Sequence, residues 1–316
     1  MKIVYITGCL GFIGSYVTRK CLEKGWMVYG VDKCTYVANL HLLEEFGKYP
    51  NFTFEKRNIK NLEHLYDCDY VINIAAESHV GNSIVQSDSF IDSNIVGVKN
   101  LLDLIRHKPI NISKRPVFFH FSTDEVYGDI EFGSHTETNL LQPSNPYSAA
   151  KAAADMLVMA WSRTYDIDYI ILRPTNNYGI GQYPEKLIPL SIKSLNRGKQ
   201  IRLHNMGTPI RNWLHAGDTA EAVMTIIQSG TTNQIYNVAG GFEQTNAETI
   251  KKIITTFNGT EEQWNKHVDF SYHREGQDLR YSLCDLKLRE LGWTPKRIFD
   301  KELGAIVEYY KNNFKW

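Results

Sequence analysis

The sequence predicts an α/β protein in which a doubly wound parallel sheet carries a second, smaller α/β lobe, and three observations support this. Short apolar runs rich in Val, Ile, Tyr and Phe recur at residues 2–7, 27–32, 52–57, 70–75, 116–121, 168–173 and 235–239. Each is too short for a core helix and continuous enough for a strand covered on both faces. Segments with helical spacing lie between most of them, at 15–24, 89–107, 147–164 and 218–229, and strand–helix alternation builds a parallel sheet with crossover helices. Proline and glycine thicken after residue 173, at Pro174, Gly179, Gly181, Pro184, Pro189, Gly198, Gly207 and Pro209, where loops leave the sheet to build the smaller lobe. No low-complexity linker separates the parts, so the lobes are expected to interleave: 1–173 with 211–238 in the larger, 174–210 with 239–316 in the smaller.

Composition narrows the class. With 43% hydrophobic and 22% charged residues in 316, the chain can bury a sizeable core and is not a disordered sequence. Thirty-five Lys and Arg balance 35 Asp and Glu, so there is no basic field to gather a polyanion, and nucleic acid is not an expected partner. The cysteines Cys9, Cys21, Cys34, Cys68 and Cys284 are odd in number and scattered, which suggests neither a disulfide framework nor a zinc cluster. The start MKIVYITG enters a strand pattern directly, and no apolar run approaches membrane-spanning length, so a cytoplasmic protein without membrane contact is expected.

The first strand runs into Gly8-Cys9-Leu10-Gly11-Phe12-Ile13-Gly14, a glycine turn that opens a helix. Glycines there let backbone N–H groups approach a pyrophosphate, and the helix N-terminus adds donors and partial positive charge. Asp32 ends the second strand, eighteen residues beyond Gly14, where a carboxylate accepts the hydroxyls of an adenosine ribose and repels a ribose 2′-phosphate. This is the pattern of a Rossmann dinucleotide-binding domain that takes NAD in preference to NADP. The adjacent Lys33 is a cation able to soften that repulsion.

Tyr147 and Lys151 lie four apart in YSAAKAAADMLVMAW, a helix-forming segment that puts both on one face. A tyrosine serves as a base only beside positive charge, which Lys151 and an oxidised nicotinamide can both supply. Ser122 and Thr123 end the preceding strand in FFHFSTDEVYG, so a hydroxyl there can orient a substrate alcohol towards Tyr147. The set suggests alcohol oxidation.

In these motifs the chain resembles the extended short-chain dehydrogenases/reductases, and among them the nucleotide-sugar 4,6-dehydratases of the dTDP-glucose and UDP-glucose type. TGCLGFIGS, INIAAESHV, FSTDEVYGD, NPYSAAKAAAD, NNYG, YPEKLIPL, PIRNWLHAGD, YNVAGGFEQTN and LRELGWTP carry the resemblance in order over nearly the whole chain. It implies that Thr123, Tyr147 and Lys151 form the oxidation group, with Asp124 as acid and Glu125 as base for elimination. It implies NAD held by Gly8, Gly11, Phe12, Ile13, Gly14, Asp32, Lys33, Thr35, Asn58, Ile59, Ala75, Ala76, Tyr147, Lys151 and Asn177. It also implies a nucleotide sugar held by Ser78, Thr123, Asn176, Lys186, Leu187, His204, Arg211, Asn246 and Arg274. The implied reaction oxidises C4 of UDP-glucose or dTDP-glucose, expels water across C5 and C6, and returns the hydride to C6. The 4-keto-6-deoxyglucose product would supply rhamnose or another deoxysugar.

Some positions depart from the family pattern. Cys9 replaces a usual glycine, Gly81-Asn82 replaces Asp-Arg, and Arg274-Glu275-Gly276-Gln277 replaces Arg-Pro-Gly-His. His204 stands where many bacterial dTDP-glucose enzymes carry tyrosine, which weighs towards UDP. None of the ten histidines sits in a metal-binding spacing, so no metal is expected. Segments 89–107 and 147–164 carry apolar residues on more than one face, among them Phe90, Ile91, Ile95, Leu101, Leu102, Met156, Leu157, Met159 and Trp161. A helix apolar all round needs two partners, and a homodimer through a two-fold four-helix bundle, also implied by the resemblance, provides the second. A nucleotide-sugar 4-epimerase or UDP-glucuronate decarboxylase would share the glycine turn, Tyr147 and Lys151 without needing Asp124 and Glu125. A cofactor-sensing protein would need no catalytic trio at all.

Overall fold

The structure, a computed structural model, describes residues 1–108, 114–273 and 278–312. Its twelve strands are β1 (Ile3–Thr7), β2 (Met27–Asp32), β3 (Phe52–Lys56), β4 (Tyr70–Asn73), β5 (Val117–Phe121), β6 (Tyr169–Pro174), β7 (Asn176–Tyr178), β8 (Ile201–Arg202), β9 (Ile210–His215), β10 (Gln234–Val238), β11 (Glu243–Thr245) and β12 (Val268–Asp269). The seven apolar runs of the sequence are the seven strands of one sheet, in the order β10-β6-β5-β4-β1-β2-β3, with every neighbouring pair parallel. Alternate side chains feed two cores. Val4, Ile6, Val28, Ile72, Phe119 and Leu172 pack under helices Phe12–Glu23 and Ala216–Ser229; Tyr5, Val31, Val71, Phe118 and Ile171 pack under Gly97–Arg106 and Pro146–Tyr165. Burial on both faces is why these strands read as unbroken apolar runs.

Winding proceeds outward from β1 through β2 to β3, then returns to place β4 on the other side of β1. Loops after β1 and β4 therefore diverge and leave a crevice at the carboxyl ends of the strands, the place where open α/β sheets bind ligands. The smaller lobe closes over that edge. It holds a three-stranded sheet, β11-β9-β7, and a two-stranded one, β12-β8, with helices Leu187–Asn196, Asn246–Asn258 and Phe299–Asn312. Tyr178, Ile188, Ile192, Trp213, Ile253, Phe299, Leu303 and Ile306 fill its core. The return to the larger lobe, expected from residue 211, comes later: residues 210–215 form β9, which pairs with β7 and β11. Strand pairing across distant sequence decides that boundary, and proline and glycine frequency does not report it.

Helix boundaries also shift. The first helix begins at Phe12, not Ser15, so the last glycine of the turn already lies inside it. The expected 89–107 helix is interrupted by a π-helical turn at Asp92–Val96, whose Asn94 side chain holds the backbone of Glu77 at both N–H and C=O, each 2.9 Å away. An apolar period does not carry that polar bond.

The glycine turn is a steric requirement. Gly8 has φ +71°, and a Cβ on it would meet the backbone of Ala75 at 2.8 Å. A Cβ on Gly14 would lie 1.9 Å from the Gly8 carbonyl oxygen, so the helix could not sit against the turn. Gly14→Ala is expected to lower unfolding stability by about 1–3 kcal/mol through overpacking, as read by urea denaturation. An unchanged midpoint would show that the turn can open without cost.

Candidate active site

The carboxyl ends of β1, β2, β4, β5 and β6 and the loops that follow them line one cleft. From the first half of the sheet come Gly8, Gly11, Phe12, Ile13, Gly14, Asp32, Lys33, Thr35, Asn58 and Ile59; from beyond β4 come Ala75, Ala76 and Ser78. Asp32 is buried at 8% exposure. Its two oxygens accept the backbone N–H groups of Leu10 at 3.2 Å and Cys34 at 2.8 Å, which ties the end of β2 to the glycine turn. Burial raises its pKa, opposed by those two bonds and by Lys33.

At the other end of the cleft lie Thr123, Asp124, Glu125, Tyr147 and Lys151. The N-cap Thr123 starts a 3₁₀ turn at Asp124–Tyr127, which is why two adjacent carboxyls leave the sheet together. Thr123 Oγ1 donates to Asp124 Oδ1 at 3.0 Å, while Asp124 Oδ2 is buried without a hydrogen-bond partner. Burial, then the neighbouring charge of Glu125, pushes the Asp124 carboxyl up to about 7. Glu125 is also raised by burial, with Arg211 the largest opposing influence, and accepts from Asn145 Nδ2 at 3.4 Å. Burial thus disfavours the charged form of both carboxyls, and Asp124, at about 7, is within reach of a proton near neutrality.

Asn145 caps the Pro146–Tyr165 helix in a reciprocal capping box with Ser148, which fixes the start of the turn carrying Tyr147. Burial raises the Tyr147 phenol, Glu125 and Asp124 add to the rise, and the Thr123 hydroxyl acts against it. Lys151 donates to the Phe121 carbonyl. Burial brings its ammonium down to about 8, opposed by Asp155 on the next turn. Lys151 thus stays mostly charged at neutral pH, but in this arrangement burial and carboxylates, more than the lysine, govern the tyrosine.

The smaller lobe contributes Asn176, Asn177 and Lys186 to the cleft wall. Asn176 Oδ1 is buried and lacks a hydrogen-bond partner; Asn177 accepts from Thr219 at 2.6 Å; Lys186 Nζ donates to the Ser78 carbonyl at 2.7 Å. Arg211 is buried, bonded to the carbonyls of Ile210 and Asp278, and reaches the carboxyls of Asp124 and Glu125 by charge. Arg211 and three other expected residues stand off the cleft wall. Leu187 packs into the cores of the smaller lobe, His204 is exposed with its ring 5.9 Å from Tyr272, and Asn246 begins a helix with its N–H on Pro209 O. Arg274, with the rest of 274–277, lies outside the described residues.

Several cleft residues were missed in the sequence. Glu77 lies in the quoted INIAAESHV between Ala76 and Ser78 and lines the cleft with Arg57, Gln182, Tyr183 and Glu185. Its position in the motif was the signal available. Asp155 and Arg173 sit beneath the site, with Arg173 Nε 3.0 Å from Asp155 Oδ2. Nothing in their spacing links a helix residue to a strand eighteen positions on. Among the described residues, no group of three His, Cys, Asp or Glu converges as a metal site, and no helix is long and apolar enough to cross a membrane.

The chain matches the GDP-mannose 4,6 dehydratase family over residues 5–304. It is 38% identical to dTDP-glucose 4,6-dehydratase of Escherichia coli, an alignment covering 100% of this chain and 94% of the relative. It is 36% identical to the low-salt glycan biosynthesis protein Agl12 of Haloferax volcanii, covering 97% and 98%. The crystal structure of DesIV, a dTDP-glucose 4,6-dehydratase from Streptomyces venezuelae with NAD and TYD bound, superposes with a TM-score of 0.92 at 35% identity, covering 98% and 97%. On this fold, this cleft and these full-length likenesses, the chain belongs to the GDP-mannose 4,6 dehydratase family, as an extended short-chain dehydrogenase/reductase of the nucleotide-sugar 4,6-dehydratase group.

Proposed function

We propose that the protein is an NAD-dependent dTDP-glucose 4,6-dehydratase. The observation that carries the reading is the adjacent pair of buried Asp124 and half-buried Glu125, with Asp124 pushed up to about 7, beside Tyr147 and Lys151. A 4-epimerase or a decarboxylase has no use for an acid and a base so placed. The thymidine nucleotide is supported by the names of the dTDP-glucose relatives, against the weight that His204 gave to UDP-glucose; UDP-glucose remains the alternative substrate.

The cleft fits a dinucleotide. The glycine turn leaves no room for side chains at Gly8 and Gly14, the helix starting at Phe12 points its N-terminus at the cleft, and Asp32 stands buried at the ribose end expected of NAD. Gly8, Gly11, Phe12, Ile13, Gly14 and Asp32 would hold one half, and Tyr147, Lys151 and Asn177 the other. When bound, NAD supplies a hydride acceptor and a positive charge beside a phenol that burial otherwise keeps neutral.

The chain's own groups then divide the proton work. Tyr147 takes the proton of the sugar's 4-hydroxyl, with Thr123 orienting that hydroxyl. Once C4 is a ketone, the C5 hydrogen is acidic, and Glu125 removes it as a carboxylate. Asp124 gives its proton to the departing 6-hydroxyl, so water leaves across C5 and C6. Glu125 returns the proton to C5 as C6 receives the hydride that left C4. Environment gives two neighbouring carboxyls opposite protonation states, the logic of paired acid and base sites. Asn176, Lys186 and Arg211, with Ser78, Leu187, His204, Asn246 and Arg274 on the nucleotide side, are proposed to hold the sugar nucleotide. The larger lobe, 1–173 with 211–238, would bind the dinucleotide and the smaller, 174–210 with 239–316, the sugar nucleotide.

Ile84, Val85, Ile91 and Met156 are exposed on the helices at 80–85, 88–91 and 146–165, whereas Phe90, Leu101 and Leu102 are already buried within the chain. A second copy covering this face in a four-helix bundle is proposed, as are a cytoplasmic location and a product destined for rhamnose or a related deoxysugar.

Substrate deuterated at C4 should give product deuterated at C6; product without label there, in the absence of solvent exchange, overturns the dehydratase reading. Tyr147→Phe should cut kcat by about 10²–10⁴ through loss of the first base, whereas Glu125→Gln should allow reduced cofactor to accumulate in a single turnover while water loss falls by about 10² or more. Because Asp124 must be protonated and Glu125 ionised to act, the elimination rate should fall about tenfold per unit above pH 7 and fall again in acid as Glu125 takes up a proton; a stopped-flow profile flat from pH 7 to pH 9 would remove the acid role. Light scattering should give about twice the chain mass, and a monomer at micromolar concentration rejects the bundle.

A further inference from the structure

We propose that Glu77 sets the preference for NAD over its 2′-phosphorylated form by holding Lys33 in an ion pair, an inference that rests on the NAD-dependent reading above. Lys33 follows Asp32 directly and lines the same end of the cleft. A lysine there is the natural partner for a ribose 2′-phosphate, because its long stem lets a compact ammonium swing to an added anion. In this chain the ammonium is engaged: Lys33 Nζ lies 2.6 Å from Glu77 Oε1, with both side chains partly shielded. Arg57, the other cation lining that end, has its Nε 3.2 Å from Glu55 Oε1. A 2′-phosphate brought to this place would meet Asp32 and Glu77 as anions and two cations each already set against a carboxylate. Recruiting Lys33 would strip Glu77 of its counter-charge inside the cleft, where leaving one partner of a shielded pair alone is costly. A ribose with its free hydroxyls makes no such demand. Asp32 therefore repels the phosphate, and Glu77 removes the cation that could have relieved the repulsion.

Glu77 is also held in place independently of its side chain. Its N–H and C=O are both bonded to Asn94 at 2.9 Å, from the π-helical turn at Asp92–Val96. Glutamine at position 77 would keep those bonds and the shape while removing the charge.

The test is equilibrium binding of NAD and of NADP to the purified protein, followed by calorimetry. Glu77→Gln should tighten NADP by about five- to tenfold, while NAD changes by less than about twofold. Adding Lys33→Met to Glu77→Gln should cancel the gain, because the freed ammonium is its source. Glu77→Ala keeps the same backbone bonds and should reproduce the shift if glutamine impairs folding. An NADP-to-NAD affinity ratio within twofold of wild type in both single variants overturns the proposal while leaving NAD use intact, and so does a gain that survives Lys33→Met. Wild-type protein that binds neither dinucleotide overturns the cofactor reading, and this proposal with it.

Discussion

A line of buried polar side chains crosses beneath the carboxyl ends of the parallel strands, and the position of the reactive groups depends on it. Thr7 on β1 donates to Asn73 on β4 at 2.7 Å, and Asn73 contacts His120 on β5 at 3.1 Å. His120 stands 3.7 Å from Asp155. Asp155 in turn accepts from Ser122 at 3.0 Å and from Arg173 on β6, and Arg173 bonds Tyr127, which bonds Asn237 on β10. All of these side chains are buried. The bonded groups would be costly to leave unpaired at this depth and tie β1 to β4 and β5 on one side and β6 to β10 and the helix on the other, while His120 Nε2 and Asp155 Oδ1 face each other without a hydrogen bond. Asp155 belongs to the helix that carries Tyr147 and Lys151, and Ser122 adjoins Thr123. The one carboxylate thereby sets the helix of Tyr147 and Lys151 against the strand end that leads into Asp124 and Glu125.

The same burial does chemical work one layer higher. Removing water raises Asp124, Glu125 and Tyr147 and lowers Lys151, because in each case it disfavours the charged form. His120 is held neutral for the same reason, with the positive charges of Lys151 and Arg173 adding to the effect. Differences between these groups come from their partners: Glu125 has Arg211 as its largest opposing influence, while Asp124 faces Glu125 first. Two carboxyls that are neighbours in sequence thus meet different electrostatic environments. Arg211 comes from β9 in the smaller lobe, so assembly of the two lobes completes the electrostatics of a site whose carboxyls belong to the larger one.

The sheet, and the sharing of one cleft by Thr123, Tyr147 and Lys151, were legible in the sequence because they rest on local or near-local rules. Strands buried on both faces must be apolar throughout, so seven runs of Val, Ile, Tyr and Phe announced seven strands. A tyrosine and a lysine four apart share a helix face whatever surrounds them, and a glycine turn between a strand and a helix is steric necessity at Gly8 and Gly14. The motifs around Thr123, Asp124 and Glu125 were equally local, since the two acids leave β5 in a single 3₁₀ turn.

What the chain alone did not reveal was every feature made by a pairing across sequence distance. The placement of 210–215 in the smaller sheet, the π turn that turns Asn94 towards Glu77, the Lys33–Glu77 pair across 44 positions and the Asp155–Arg173 pair all arise where remote segments meet. So does the protonation of Asp124, which depends on how much water the folded cleft excludes, a quantity with no signature in residue spacing. Sequence determined which groups the protein has and the elements that carry them, because those follow from period, sterics and motif. Tertiary structure decided which charges face one another and how dry their surroundings are, because electrostatic energy depends on distance and dielectric, and only the packed fold defines either.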